Sequence, residues 1–200
     1  MSRPRTKTDA AVLGAAAEVI ARLGPGNFTL ADIAKEAGLA PATLIQRFGS
    51  KHGLILALVK LSAEGTEACF DRVRAAHRSP LKALFAAVEE MAQMAASPEA
   101  LANTLAFLQL FLTDPEFRHW TLINSRAMLA GYRKLLDEAV RSRELRRCDT
   151  EGLARLINEA AHGSMVLWAF FQEGSAAAWM RRDMELLIAP YRTARSKTAS

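Results

Sequence analysis

Cysteine is almost missing from this chain: Cys69 and Cys148 are the only two in 200 residues, and they lie far apart. That excludes a disulfide framework and makes a reduced, cytoplasmic setting the expectation. Histidine is nearly as scarce. His52, His77, His119 and His162 have no second ligand residue at metal-site spacing, so no metal is expected. No charge-free apolar run is long enough for a membrane span, and the basic start MSRPRTKTDA leads into no signal-peptide core. Period-two alternation between turn signals is absent, so strands are not expected. The chain also has no Gly-rich phosphate loop and no nucleophile elbow. Glu89 and Glu90 are adjacent, and adjacent helical side chains diverge by about 100°. An enzyme and a cofactor are therefore not expected.

What the sequence does have is helix punctuation. Ser79-Pro80, Ser97-Pro98 and Asp114-Pro115 each pair a capping residue with a proline at the first helical position. They predict helices over 51–77, 80–95, 98–112 and 115–142. After an Arg-rich break at 141–149, a helix begins at Asp149 or Thr150 and runs to Phe171. Gly174-Ser175 precedes a last helix ending near Pro190. The fold class is all-α.

The richest segment is Phe28–Lys51, FTLADIAKEAGLAPATLIQRFGSK. Thr29 is a good N-cap, and Asp32 sits near the positive helix end. Ile33, Ala34 and Ala37 recur at helical spacing, and Gly38 supplies a left-handed stop. Pro41 opens the next short helix, in which Leu44 and Phe48 face inward while Thr43, Gln46 and Arg47 face out. Upstream, Val12, Leu13, Ala16, Val19 and Ile20 form an amphipathic helix stopped by Gly24. This is the layout of a helix-turn-helix, whose second helix enters the DNA major groove N-terminal end first. Charge agrees with that layout. Residues 1–52 hold seven Lys/Arg against four acids, whereas the other 148 hold 19 against 17. Basic character thus gathers where phosphates would be met.

The cadence Ala16, Ile20, Gly24, Thr29, Ile33-Ala34, Ala37-Gly38, Thr43-Leu44, Phe48, Ser50-Lys51 and Leu54 resembles the TetR family of bacterial transcriptional regulators. The likeness covers roughly Ala10 to Val59, and beyond it only the helical architecture is similar. Members usually carry a phosphate-contacting tyrosine after the Thr-Leu pair, where Ile45 stands here. They also usually start the recognition helix with a polar cap, where this chain has Ala40, at a cost of about 0.5–2 kcal/mol relative to Ser. The resemblance implies a DNA-binding domain over 1–52 and a helical effector-binding and dimerisation domain over 53–200. It also matches Lys51 to the family's phosphate-contacting lysine.

The expected DNA-contacting residues are Thr29, Pro41, Ala42, Thr43, Ile45, Gln46, Arg47 and Lys51, with Arg3 and Arg5 in a terminal arm. Pro41, Ala42 and Thr43 suit close approach to base edges, Gln46 suits adenine, and Arg47 suits guanine or phosphate. The partners expected are a palindromic double-stranded DNA operator and a second copy of the chain. A small, mostly apolar effector is expected too, releasing a repressor from its operator.

Effector candidates are Met91, Met94, Phe107, Phe111, Trp120, Met128 and Trp168, with Asn103, Gln109, Asn124 and Arg126 as polar company. The segment 102–112 is apolar nearly all round and is expected to be central. In the next-to-last helix Leu153, Leu156, Ile157, Ala160, Ser164, Leu167, Trp168 and Phe171 form one stripe, with Val166 and Phe170 on a second side. The resemblance implies that the last two helices pair with their twins, so Val166, Phe170, Met180, Met184 and Leu187 are the expected dimer residues. The alternative is a helical binding or scaffold protein whose headpiece has lost specific DNA contacts.

Overall fold

A computed structural model describes residues 7–24 and 26–193; Arg3 and Arg5 lie outside the described residues. No β-strand occurs among the described residues. The helices are α1 (Asp9–Leu23), α2 (Leu30–Ala37), α3 (Pro41–Phe48), α4 (Lys51–Ala76), α5 (Pro80–Met91), α6 (Pro98–Leu105), α7 (Leu108–Thr113), α8 (Pro115–Arg141), α9 (Thr150–Phe171) and α10 (Ala176–Ile188). Short 3-10 turns follow α5 and α10.

Two compact units divide the chain. The first comprises the chain up to Glu64 together with Ala102–Leu122; the second comprises Gly65–Leu101 and the chain from Ile123 onward. The chain therefore passes between units three times, each time inside a helix: α4, α6 and α8.

The first unit is built on the apolar faces of α1, α2 and α3. Val12, Leu13, Ala16, Val19, Ile20, Ile33, Ala37 and Leu44 share one core with Leu54, Phe107 and Phe117. Asn103 reaches the end of α1, where its Nδ2 donates to the Ala21 carbonyl at 2.9 Å. That satisfies a carbonyl that the helix itself leaves open. The second unit has its own core, in which Phe70, Leu84, Tyr132, Leu136, Ile157, Met180 and Met184 are buried. Arg72 and Cys69 both donate to Glu90 there, and the Arg72 guanidinium holds that carboxyl below the usual range.

Three expectations are corrected. The helix predicted over 80–95 ends at Met91 and continues as a 3-10 turn over Ala92–Ala95. The single helix predicted over 98–112 breaks at residues 106–107, where the Phe107 N–H turns back to the Thr104 carbonyl. The break swings Phe107 into the core and stacks it on Phe111, while Leu105, Leu108 and Leu112 are left exposed. The all-round apolar segment is thus not buried all round. On α9, the buried face is Leu153, Ala154, Ile157, Ala161, Ser164, Met165 and Trp168, and Leu156 and Leu167 lie exposed on the other side.

Candidate nucleic-acid interface

Helix α2 is closed at both ends by its own sequence. Thr29 Oγ1 accepts the Asp32 N–H at 3.2 Å, and Asp32 accepts the Thr29 N–H at 2.8 Å and its hydroxyl at 2.7 Å. These reciprocal bonds form a capping box. The two Thr29 donors hold the Asp32 carboxyl below its ordinary value. At the other end Gly38, at φ 63°, takes the left-handed conformation that a residue with a Cβ resists. Thr29, an expected phosphate contact, is thus occupied as a cap.

Helix α3 follows after Leu39-Ala40. Its N-cap, Ala40, offers no side-chain bond, and Pro41 fills the first position. Leu44 is fully buried in the shared core and seats the helix against α2. Phe48 is half-buried against the same core. At its C-terminus Gly49 ends the helix, and Ser50 caps α4 by accepting the Gly53 N–H at 3.0 Å. Gly53 matters for a different reason: a Cβ there would collide with the Phe48 carbonyl oxygen. Only glycine lets the start of α4 sit so close to the end of α3.

On the outward side of α3, Pro41, Ala42, Ile45 and Gln46 are exposed and Thr43 is half-buried. Ile45 is 54% exposed. Two of the cations expected to meet DNA, Arg47 and Lys51, are held by other groups of the headpiece. Arg47 donates from Nη1 to the Lys7 carbonyl at 2.7 Å and pairs with Asp9 at 3.3 Å. Lys51 donates to the Phe28 carbonyl at 2.7 Å, and its ammonium lies 3.9 Å from the Phe28 ring centroid. Arg47 therefore ties α3 to the first turn of α1, and Lys51 ties α4 to the turn before α2. Neither tie was visible from local sequence pattern, because the partners lie 38 and 23 residues away.

The other expected sites separate. Phe107, Phe111 and Trp120 belong to the first unit, whereas Met91, Met94, Met128 and Trp168 belong to the second. Met91 accepts the Tyr132 hydroxyl at 2.9 Å, Trp168 donates its indole N–H to the Gly174 carbonyl, and Met94 is exposed. Asn103 is spent on α1 and Asn124 accepts the Thr66 hydroxyl. A cleft of about 930 Å³ lies in the second unit and is lined by none of these candidates. It runs beside the start of α5, with Arg78, Lys82 and Arg143 around it.

Among the expected dimer residues, Met180 and Met184 are buried in the chain's own core, which takes them away from any partner. Val166 and Leu187 are half-buried, and Phe170 is 76% exposed. The exposed apolar positions of α9 instead recur as Leu156, Gly163, Leu167 and Phe170, with half-buried Ala160 between them. That spacing of four and three makes one continuous seam.

Of the histidines, His52 pairs with Asp114 at 3.1 Å, His77 bonds the Val73 carbonyl at the end of α4, and His162 bonds the Asn158 carbonyl of its own helix. Among the described residues, no group of three His, Cys, Asp or Glu side chains could hold a metal. No described helix is long and apolar enough to cross a membrane.

Residues 12–58 match the family model described as bacterial regulatory proteins of the tetR family. The whole fold has counterparts among solved structures. FadR from Bacillus subtilis, solved with stearoyl-CoA, aligns with a TM-score of 0.69 at 21% identity, over 90% of this chain and 98% of that one. A TetR regulator from Haloarcula marismortui gives 0.75 at 13% identity, over 92% and 98%. Reduced NemR from E. coli gives 0.72 at 12% identity, over 91% and 98%. No curated protein sequence matches. An N-terminal helix-turn-helix joined to a larger helical body is the architecture of a DNA-binding regulator. Residues 12–58 thus match the tetR-family headpiece, and the chain as a whole shares the fold of these solved regulators.

Proposed function

We propose that this regulator is a cytoplasmic, homodimeric repressor that binds a palindromic operator through α3 and leaves it when a small effector binds. The observation that carries the DNA reading is the outer face of α3. Pro41, Ala42, Ile45 and Gln46 stand exposed on a helix whose inner side is pinned by Leu44 and whose ends are fixed by Pro41 and Gly49. Rigid presentation of a short helix is what groove recognition needs. Residues 1–52 would supply the DNA contacts, and 53–200 the effector site and the dimer.

The dimer reading rests on the seam Leu156–Ala160–Gly163–Leu167–Phe170. Small residues in its centre let a second helix approach closely, and large apolar ones at its ends are covered by the twin. A second copy would supply a second α3 for the other half-site, at the spacing of about one DNA turn, roughly 34–36 Å, that helix-turn-helix dimers use.

The effector reading draws on FadR, which was solved with stearoyl-CoA, and on the adaptable Met91, Met94 and Met128 in the second unit. Three helices carry the chain between the units, so a change in one has three covalent routes to the other. A tenfold loss of operator affinity needs about 1.4 kcal/mol of effector preference for the released form.

Two titrations test the reading. Fluorescence anisotropy with the DNA upstream of the protein's own gene should give tight, salt-sensitive, two-fold symmetric binding. Acyl-CoA or another apolar ligand that raises the melting temperature should weaken that binding. Equal affinity for random and specific duplexes would favour a helical scaffold with a vestigial headpiece instead.

A further inference from the structure

The outer face of α3 is unusual in what it offers a base pair. We infer that it reads thymine 5-methyl groups, with Ile45 and Ala42 as specificity-determining residues; this rests on the DNA-binding reading above. Pro41 and Ile45 are four apart and Ala42 and Ile45 three apart, so the three share one side of the helix. All three are exposed and none has a side-chain hydrogen-bonding group. The nearest cations are turned elsewhere, Arg47 onto Lys7 and Asp9, and Lys51 onto the Phe28 carbonyl and ring. Among the described residues of α3, Gln46 is the one exposed polar side chain.

The chemistry of the major groove then selects. Its base edges present hydrogen-bond donors and acceptors, and the one apolar group among them is the thymine methyl. An isoleucine pressed on a guanine or cytosine edge would strip water from polar atoms and give nothing back. Against thymine it covers a methyl group. Discrimination therefore has an attractive part at T and a repulsive part at G·C. Gln46 fits the same preference, because its amide pairs with the N6 and N7 of adenine. Pro41 to Ile45 spans about 6 Å along the helix axis, close to two base-pair steps of about 3.4 Å. One or two thymines per half-site are therefore contacted.

The test uses the full-length protein and an operator selected from a pool of random duplexes. Each thymine of a half-site is replaced in turn by deoxyuridine, which keeps the base pair and removes only the methyl. At one or two positions the affinity should fall about fourfold, the change expected for one buried methyl group. The Ile45→Ala variant should bind the thymine operator more weakly and be indifferent to uracil at the position Ile45 covers. Circular dichroism of that variant checks that the headpiece is folded, and the uracil series on the unaltered protein stands without it. A selected operator whose affinity is unchanged by uracil at every half-site position overturns this inference alone. Failure to select any duplex overturns both it and the DNA-binding reading.

Discussion

Helices α2 and α3 have eight residues each and lie one short turn apart, yet their starts are built in opposite ways. The start of α2 is closed by the Thr29–Asp32 box, which uses the Thr29 and Asp32 N–H groups within the chain. The start of α3 has Ala40 and Pro41 and no side-chain cap. Pro41 has no N–H and the Thr43 N–H turns back to the Ala40 carbonyl at 2.9 Å, which leaves the Ala42 N–H for water or a partner. The difference separates two tasks. Helix α2 is a stable wall against which α3 is seated, and α3 presents an open, largely apolar end to whatever it reads. An uncapped start lowers stability slightly and keeps the positive end of the helix available to a DNA phosphate.

The sharpest way to break this contrast lies within α3 itself. Leu44 and Ile45 are neighbours, one with no exposed surface and the other more than half exposed. Leu44→Ala should cost about 2–5 kcal/mol of stability in urea denaturation and abolish operator binding with it. Ile45→Ala should leave stability within about 0.5 kcal/mol and still weaken the operator complex. Similar stability losses for the two would show that Ile45 is not an outward, contact-making residue.

Next in size is Gly53→Ala. The added Cβ meets the Phe48 carbonyl oxygen, so the start of α4 must shift away from α3. A loss of about 1–3 kcal/mol is expected, the range for overpacking. A neutral result in the same denaturation assay would mean that the α3–α4 corner yields freely.

Capping effects are smaller. Thr29→Ala should cost about 1 kcal/mol, within the 0.5–2 range for lost caps. The sign of its pH dependence follows from Asp32, whose carboxyl is held below its ordinary value by the Thr29 hydroxyl and N–H. That stabilisation is present above the unfolded carboxyl pKa, about 3.9, and is lost as pH falls through the lower folded value. The gap between wild type and Thr29→Ala should therefore narrow below about pH 4. By the same reasoning Ala40→Ser should stabilise the protein by about 0.5–2 kcal/mol, since it supplies the missing cap. An Ala40→Ser protein no more stable than wild type would show that the open start of α3 costs nothing.

The elements of the headpiece were legible because their signals are local. Thr29, Gly38, Pro41 and the i, i+4 pair Leu44 and Phe48 each act within one helical turn, and the helices begin and end where those residues stand. What could not be read was which distant group each side chain meets. Arg47 and Lys51 look like DNA contacts from sequence, but Asp9, Lys7 and Phe28 claim them across the fold. Asn103 looks like a ligand contact and serves the end of α1. The break between α6 and α7 was not legible because no Gly or Pro marks it; it is imposed by Phe107 entering the core. On α9, Leu156 and Leu167 share the chemistry of their buried neighbours, so the pattern alone could not tell the inner face from the seam.

One measurement bears most directly on DNA recognition by α3: selection of bound duplexes from a random pool by the full-length protein, followed by sequencing. Enrichment of an inverted repeat, with half-sites one helical turn or a multiple apart and the preference altered by Gln46→Ala, is the expected result. A pool that stays random after repeated selection would contradict it.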